Sequence, residues 1–401
     1  MNDTKLKDLQ ASAARELHGN IIPFWLKYSM DHKHGGFIGG MSPQGVIRDS
    51  APKGLILNSR ILWSFSALHL HDPRPEYLNM AKRAFEYLTL KFQDHQYGGY
   101  YWMLSCPGEP VDVKKKIYGQ AFMVYALSEY ARASGDGMAL DLAKKLYRII
   151  EKKARDTRYP GYLESYNRDW TLAEDYRLSD KDMDEKKSMN THLHLLEAYT
   201  NLHRVWPNEK VKKSLKMLIQ VFLNHIYHSG SRSFGLFFDE KWDLKTDHVS
   251  FGHDIEGSWL LVEAADELGD PDIMPGVREQ ALCLAGAARR RGLDRDGGML
   301  YEGDSRKVID GDKHWWPQAE AVVGFLNAWQ LSGDPQYIDA ACGCWQFIEK
   351  YMVDRKYGEW FYSVSRKGKP DPSKDKICKW KGPYHNVRAC LEIIRRTGGS
   401  G

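Results

Sequence analysis

Apolar positions follow two alternating patterns along the chain, and each pattern predicts one kind of helix. In one set of segments, Leu, Ile and Phe recur on one side and charges on the other, as in helices with one face in water. These segments are 75–92, 138–154, 209–227, 273–290 and 336–352. The other segments are apolar nearly all round and rich in small residues, which is typical of helices buried on most sides. Examples are 121–127, 193–199, 258–265 and 319–328.

Two kinds of turn separate these helices. One is a glycine followed by an aromatic or apolar residue, which predicts a tight turn leading into a short strand. It recurs along the chain, as at Gly36-Phe37, Gly99-Tyr100, Gly161-Tyr162, Gly235-Leu236, Gly298-Met299 and Gly358-Glu359-Trp360. The other is a Gly/Pro/Asp linker, such as Asp72-Pro73 or Gly269-Asp270-Pro271, which ends one helix before the next begins. The two turns divide the chain into helical hairpins.

Six buried helices alternating with six half-buried helices predict an all-α fold, an (α/α)6 barrel of six helical hairpins. Short β-hairpins are expected in the loops at the end that carries the active site. Residues 1–30 would form the first outer helix and 383–396 the last inner one. We predict a single catalytic domain over residues 1–396. Residues 397–401 would be a flexible tail or a cloning remnant.

Composition and charge exclude several classes of function. The net charge of +4 on 401 residues argues against a nucleic-acid groove. No apolar stretch approaches the roughly 18 residues that a membrane helix needs, and the charged start of the chain does not resemble a secretion signal. Six scattered cysteines without a CxxC pair favour free thiols and a cytoplasmic location. Thirteen Trp and 22 Tyr are consistent either with a large core or with surfaces that stack on sugars.

Ionisable and polar residues near the starts of the apolar helices need an explanation, because burying them unpaired costs several kcal/mol. They are Arg60, Tyr118, Gln120, Asn190, His194, His253, Glu256, Trp316 and His385. Because all inner helices of such a barrel begin at the same end, we expect Arg60, His194, His253, Trp316 and His385 to meet in one cavity. The run Lys114-Lys115-Lys116, by contrast, is interpreted as a solvated loop.

The recurring ionisable residue in this set is histidine, and this indicates the chemistry. Glycosidases use two carboxylates, and the chain offers Asp254, Glu256, Glu302 and Glu320. Imidazole, however, suits proton transfer in both directions near neutral pH. Proton transfer at a carbon next to a carbonyl therefore fits better than hydrolysis, with an arginine to hold the enediolate charge. The histidine pairs lack a metal-binding motif such as HExxH, so no metal is expected.

Four stretches make the resemblance to a known family specific. They are Ser188–Tyr199, Gly252–Leu261, Lys313–Phe325 and Lys379–Cys390, and the most discriminating parts are His314–Glu320 and Lys381–Asn386. These stretches resemble the cellobiose 2-epimerases of the N-acylglucosamine 2-epimerase superfamily, over nearly the whole chain. The resemblance implies an (α/α)6 barrel and a cofactor-free epimerisation at C2 of the reducing-end glucose in β-1,4-linked disaccharides. Cellobiose would become glucosyl-mannose, and lactose would become epilactose.

The resemblance also implies roles for individual residues. His253 and His385 would be the acid–base pair, and His194 would assist ring opening. Arg60, with Tyr118 and Asn190, would bind O1 to O3 and stabilise a cis-enediolate. Glu256 would polarise His253 or bind the sugar. Trp316 and Trp380 would stack on the two sugar rings, and Glu302 would hydrogen-bond the distal face.

Several alternatives stay open at this stage. Within the superfamily they are an aldose–ketose isomerase and an N-acylglucosamine 2-epimerase. In other classes they are an (α/α)6 glycoside hydrolase and a non-catalytic sugar-binding protein. A disaccharide is the expected binding partner, and the chain is expected to be a monomer, with a homodimer as the alternative.

Overall fold

The structure is a computed structural model that describes residues 2–304 and 306–398 of the chain. Its helices alternate between an outer and an inner ring. The outer helices are α1 (Asn2–Glu16) with its continuation α2 (Ile22–Tyr28), α4 (Pro75–Tyr87), α6 (Gly137–Lys153), α8 (Glu209–Val221), α10 (Met274–Ala287) and α12 (Pro335–Phe347). The inner helices are α3 (Leu55–His71), α5 (Ile117–Ser134), α7 (Met189–Val205), α9 (Phe251–Leu268), α11 (Trp315–Ser332) and α13 (Tyr384–Thr397).

Each inner helix packs against the next, and α13 packs back against α3, so the inner ring is closed. This arrangement confirms the predicted (α/α)6 barrel. Inner helices are buried along most of their length, as their all-round apolar sequences require. No helix in the described ranges is long and apolar enough to cross a membrane. Thr397 ends α13, and residues 399–401 of the predicted tail lie outside the described residues.

The outer ring has one regular feature that hydrophobic periodicity does not predict. A π-helical turn joins α1 to α2, and further π-helical turns continue four of the other outer helices. These turns are Leu17–Ile21, Leu88–Phe92, Phe222–Ile226, Ala288–Gly292 and Ile348–Met352. Together with these turns, the helices cover nearly the same residues as the amphipathic segments of the sequence.

Short antiparallel strands tie neighbouring hairpins together at the end where the inner helices begin. The strands are β1 (Lys53–Gly54), β2 (Met103–Leu104), β3 (Pro110–Asp112), β4 (Lys115–Lys116), β5 (Ser165–Tyr166), β6 (Lys187–Ser188), β7 (Tyr227–His228), β8 (Ser233–Phe234), β9 (Phe237–Phe238), β10 (Val249–Ser250), β11 (Glu302–Gly303), β12 (Val308–Asp310), β13 (Lys313–His314) and β14 (Ser363–Val364). They form the sheets β1-β2-β3, β10-β11-β12, β13-β14, β4-β5, β6-β9 and β7-β8. The strand before an inner helix thus pairs with a strand of the following hairpin, as Lys53 does with Leu104.

The side chain of the fourth residue of several inner helices does not face the cavity. It instead forms a hydrogen bond with the backbone of a glycine turn. Each accepts the backbone N–H of the residue that follows the turn glycine. The pairs are Gln120 with Tyr100 at 2.9 Å, His192 with Tyr162 at 3.0 Å, and Gln318 with Met299 at 2.6 Å. Asp254 likewise accepts the backbone N–H of Phe234 at 2.8 Å, although this residue follows Ser233 rather than a glycine. Gly161 is required at its turn, because its φ is +104° and a Cβ there would lie 2.6 Å from His192 Nε2.

Buried lysine–aspartate pairs fasten the same turns to the inner helices. The lysine ammonium groups of Lys53, Lys115, Lys187 and Lys313 lie 2.7–2.9 Å from Asp31, Asp94, Asp156 and Asp296 respectively, and all four lysine side chains are fully buried. The interpretation of residues 114–116 as a solvated loop was therefore wrong, since Lys115 and Lys116 are buried. The run contains strand β4, and the partner aspartate lies 21 residues earlier in sequence.

Replacing Lys115 by Met should destabilise the fold by about 3 kcal/mol, because Asp94 would remain buried without its ammonium partner. Burial alone would raise the pKa of Asp94, but hydrogen bonds from Arg168 and Lys115 hold it well below its ordinary value. Arg168 remains in the variant, which keeps the loss at the lower end for a buried pair. The measurement is the free energy of unfolding in urea. Lys114→Met, one residue away and half-buried, should change it by less than about 0.5 kcal/mol; equal losses would contradict this account.

Candidate active site

The inner helices begin around one cavity of about 760 Å³. Every side chain singled out from the sequence as catalytic or substrate-binding lines it. These are Arg60, Tyr118, Asn190, His194, His253, Glu256, Glu302, Trp316, Trp380 and His385. They come from all six inner helices and from two of the loops, so no single local motif could form this cavity.

His385 and His194 share one arrangement, in which a buried carboxylate fixes the imidazole. His385 Nδ1 lies 2.7 Å from Glu320 Oε1, and His194 Nδ1 lies 3.0 Å from Glu197 Oε2. A carboxylate can only accept, so each Nδ1 carries the hydrogen and donates it. The Nε2 atom is then the one with a free lone pair, which is the state of a general base.

His253 has a different partner. Its Nδ1 lies 2.8 Å from Ser250 Oγ, on the strand that precedes α9. Glu256 instead accepts a hydrogen bond from Arg388. The expectation that Glu256 polarises His253 therefore does not match the contacts of the described residues. The sugar-binding role expected for Glu256 is untouched by this correction.

Trp316 packs against both candidate acid–base histidines. Its ring centroid lies 4.5 Å from that of His253 and 5.8 Å from that of His385. A cavity wall is thus shared by the two imidazoles.

Burial favours the neutral form of all three imidazoles. It lowers the pKa of His253 to about 3 and, despite the Glu197 carboxylate, lowers the pKa of His194. Burial and the neighbouring Arg60 and Arg388 guanidinium groups lower the pKa of His385 well below its ordinary value. Neutral imidazoles at physiological pH can accept a proton, whereas imidazolium groups could not.

Arg388 is the centre of the buried charge network beneath the cavity. Its Nη1 donates to Glu197, and its Nη2 donates to Glu256 at 2.6 Å and to Glu320 at 2.7 Å. Tyr384 also donates to Glu197. One guanidinium therefore positions both carboxylates that orient His194 and His385.

The same network determines the protonation of Glu256. Burial and the neighbouring Glu320 carboxylate raise the pKa of Glu256 to about 8. A protonated Glu256 can still accept from Arg388 through one oxygen. Glu256, Glu320 and His385 also lie close enough together to share a metal ion, but the guanidinium of Arg388 already binds both carboxylates.

Arg60 also lines the cavity. Its Nη1 donates to the Trp380 carbonyl at 2.5 Å and its Nη2 to Tyr118 Oη at 3.1 Å. Among the described residues, neither Arg60 Nε nor Asn190 Oδ1 has a hydrogen-bond partner, although both atoms are buried. Unpaired buried polar atoms on residues that line a cavity are natural contacts for a polar ligand.

The mouth of the cavity is aromatic and polar. Trp380 packs edge-on against Trp102, with ring centroids 5.6 Å apart. Glu302 lies opposite Ser250 in the β10–β11 pair, and burial raises the pKa of its carboxyl group. The segment 175–183 also lines the cavity. The wall thus offers flat rings and hydrogen-bonding groups together, as sugars require.

Sequence reasoning missed Arg388 and underrated Glu320 and Glu197. Arg388 is a lone arginine near the start of an apolar helix, as Arg60 is, so the argument that selected Arg60 also applies to it. Glu320 was considered only as a glycosidase carboxylate. Its partner His385 lies 65 residues away, and spacing along one helix cannot indicate such a contact.

The fold and the cavity together define an (α/α)6-barrel protein whose inner helices begin around a cavity lined by several histidine side chains. Comparison with known proteins is consistent with this description. The chain belongs to the N-acylglucosamine 2-epimerase (GlcNAc 2-epimerase) family, whose sequence model matches residues 36–389.

Individual relatives cover nearly the full chain. A protein of Bacteroides fragilis named cellobiose 2-epimerase is 44% identical over 387 residues, which is 96% of this chain and 98% of the relative. One of the same name from Ruminococcus albus is 41% identical over 383 residues, 95% of this chain and 97% of the relative. The solved structure of cellobiose 2-epimerase from Bacillus thermoamylovorans superimposes with a TM-score of 0.93 at 38% identity, covering 97% of this chain and 100% of that one.

Proposed function

We propose that this chain catalyses reversible C2 epimerisation of the reducing-end glucose in β-1,4-linked disaccharides such as cellobiose and lactose. The observation that carries the proposal is the pair His253 and His385, two imidazoles packed against one tryptophan at the cavity wall. Inversion at a carbon needs a proton removed on one face and returned on the other. The named activity of the relatives supports the choice of substrate.

The reaction begins with ring opening, which we assign to His194. An open-chain aldose has an acidic C2 proton next to its carbonyl. One imidazole of the pair takes that proton, and the electrons of the C2–H bond move into a cis-enediolate. Arg60 is suited to hold the negative charge that develops on the oxygens, with Tyr118 and Asn190 positioning O1 to O3.

The second half of the reaction restores C2 with inverted configuration. After rotation about C2–C3, the other histidine, which has taken up a proton from solvent on Nε2, gives that proton to the opposite face of the enediolate. The first histidine ends the reaction protonated and the second ends it neutral. Loss of one proton to solvent by the first and uptake of one by the second reset the pair. Glu320 stabilises the imidazolium state of His385 when it carries the proton.

The state of the carboxylates favours this chemistry over glycoside hydrolysis. A glycosidase needs two carboxyl groups that can reach the scissile bond as acid and as base or nucleophile. Here Glu256 and Glu320 both accept hydrogen bonds from Arg388, and Glu320 also binds His385 and Trp259 Nε1. Both oxygens of Glu320 and one oxygen of Glu256 are thus engaged in positioning.

The size of the cavity and its aromatic mouth support a disaccharide rather than a single sugar. We assign Trp316 to the reducing-end ring, since it packs against the acid–base histidines. Trp380 and Glu302 would contact the second ring nearer the mouth. Stacking on apolar sugar faces and hydrogen bonding to hydroxyl groups would then both be satisfied.

Product analysis tests the proposal directly. The purified protein is incubated with cellobiose, and the products are followed by NMR and mass spectrometry. We expect a mannose-type reducing end with unchanged mass. Free glucose would replace the proposal with a glycosidase, and a ketose would replace it with an isomerase. No conversion of cellobiose or lactose would contradict it outright.

The raised pKa of Glu256 predicts the alkaline limit of activity. Below a pH of about 8 the carboxyl group of Glu256 is protonated and neutral. Above that pH, Glu256 adds a negative charge near the developing enediolate. We therefore expect kcat/KM for cellobiose to fall as the pH rises through about 8. Glu256→Gln, which stays neutral, should lose this alkaline decline while retaining turnover at pH 6. An unchanged decline in the variant would assign it to another group.

A further inference from the structure

A second cluster of metal-ligating side chains lies outside the active site, at the junction of the first two hairpins. It consists of Asp31 and His34, in the turn after α2, and Cys106, in the turn between β2 and β3. We infer that these three side chains form a binding site for a divalent transition-metal ion of the zinc type. The proposed epimerisation does not use any of them.

Two of the three distances between donor atoms fit a tetrahedral ion, and the third pair, Asp31 and Cys106, lies within 4.8 Å. His34 Nδ1 lies 3.5 Å from Cys106 Sγ and 3.5 Å from Asp31 Oδ2. Tetrahedral zinc, with bonds of about 2.0–2.3 Å to nitrogen, oxygen and sulfur, separates such donor atoms by about 3.3–3.6 Å. Thiolate, imidazole and carboxylate are the donors that zinc prefers, and the three protein ligands leave a fourth position for a solvent molecule.

Both turns are held in place without an ion. Asp31 Oδ1 accepts the backbone N–H groups of Lys33 and His34, at 2.9 and 2.8 Å, which leaves Oδ2 facing the imidazole. The β2–β3 turn that carries Cys106 is closed by backbone hydrogen bonds between Ser105 and its neighbours. A metal ion would therefore find donors already in position, so little ordering would oppose binding.

The ammonium group of Lys53 is a second cation next to the proposed metal site. Its ammonium lies 2.7 Å from Asp31 Oδ2 and donates to the Gly35 carbonyl at 2.6 Å. A carboxylate oxygen has two lone pairs, and ligating carboxylates are commonly hydrogen-bonded by a second group. The thiolate and carboxylate together supply two negative charges against three positive charges, two on the ion and one on Lys53. Lys53 then orients the carboxylate rather than displacing the metal.

Binding also has a defined proton balance. The Cys106 thiol loses its proton to solvent as the sulfur–metal bond forms, so one proton is released per ion and affinity rises with pH. No electron is transferred. The ion would join the turn after α2 to the β2–β3 hairpin, and so stabilise the folded state against unfolding.

Cobalt(II) tests the site, because a thiolate ligand gives it a charge-transfer absorption that nitrogen and oxygen ligands do not. The EDTA-treated, full-length protein is titrated with cobalt(II) and then with zinc(II). We expect a thiolate–cobalt band that saturates at one ion per chain, is displaced by zinc, and is accompanied by a rise in Tm. Cys106→Ser should abolish the band, and His34→Ala should weaken binding at least tenfold.

Cys283→Ser is the matched control, since Cys283 is also a free, half-buried cysteine but lies elsewhere in the fold. It should keep the band. Absence of the band in the wild type, or its survival in Cys106→Ser, would overturn the proposal. Cys106→Ser should also keep the wild-type rate of cellobiose conversion, so failure of the metal site and failure of the proposed epimerase activity are separate results.

Discussion

His253→Asn and His385→Asn should each lower kcat for cellobiose epimerisation by about 10²- to 10⁴-fold, which is the usual contribution of a positioned acid or base. Asparagine approximates the size of imidazole and keeps a hydrogen-bonding group where Nδ1 meets Ser250 or Glu320. The substitution thus removes the proton-transferring Nε2 while the cavity wall is retained. Each variant should be purified and its rate measured by NMR.

Binding should be affected far less than turnover. Arg60, Trp316 and Trp380, to which we assign most of the sugar contacts, remain in both variants. Cellobiose affinity, measured by calorimetry, should stay within about tenfold of the wild type. His71→Asn, at the other end of α3 and exposed to solvent, is the control and should leave both quantities unchanged. Near-normal turnover in either active-site variant would remove that histidine from the mechanism.

Arg388→Met should destabilise the protein by about 3–5 kcal/mol, the largest stability loss that the structure predicts for one side chain. Glu197, Glu256 and Glu320 would remain buried without the guanidinium they share. Methionine fills much of the same space, so the loss would be electrostatic rather than a cavity effect. The free energy of unfolding in urea gives the measurement, with turnover recorded in parallel.

The pH dependence of this loss separates charge from packing. The guanidinium of Arg388 lowers the folded-state pKa values of Glu197 and Glu256, so both values rise when it is removed. A carboxyl group whose folded-state pKa is higher contributes less stability as the pH rises above its unfolded pKa. The deficit of Arg388→Met should therefore be small near pH 4 and largest near pH 8. Arg395→Met, on the same helix with a mostly exposed side chain, should show no deficit beyond about 0.5 kcal/mol. A pH-independent deficit would indicate lost packing instead.

The hydrophobic periodicity of the sequence was sufficient to predict most of the fold. The outer helices are amphipathic and the inner ones apolar because water touches only one ring, and this contrast can be read directly along the chain. Segment 75–92, for example, is helix α4 with its π-helical turn. Periodicity could not predict the contacts made by the turns. Lys115 stands in a run of lysines typical of a solvated loop, but in the folded chain its ammonium lies against Asp94.

The candidate site was accessible from sequence only in part, for a similar reason. Polar residues in an apolar helix indicate either a cavity or a buried contact, and neighbours such as Tyr118 and Gln120 have the same sequence context. Tyr118 faces the cavity, whereas Gln120 binds the backbone of Tyr100. The partners that decide between these roles lie 20 to 191 residues away. Arg388 was missed although its burial follows from the same argument as that of Arg60.

The two-histidine mechanism predicts that each imidazole removes the C2 proton of a different epimer. In D2O, the wild type should exchange the C2 proton of both cellobiose and glucosyl-mannose while interconverting them, with one deuterium entering at C2. Each single histidine variant should lose interconversion yet still exchange C2 of one epimer, and the two variants should retain opposite epimers. NMR of the C2 position and mass spectrometry measure this directly. Interconversion without deuterium at C2, or loss of exchange from the same epimer in both variants, would contradict the mechanism.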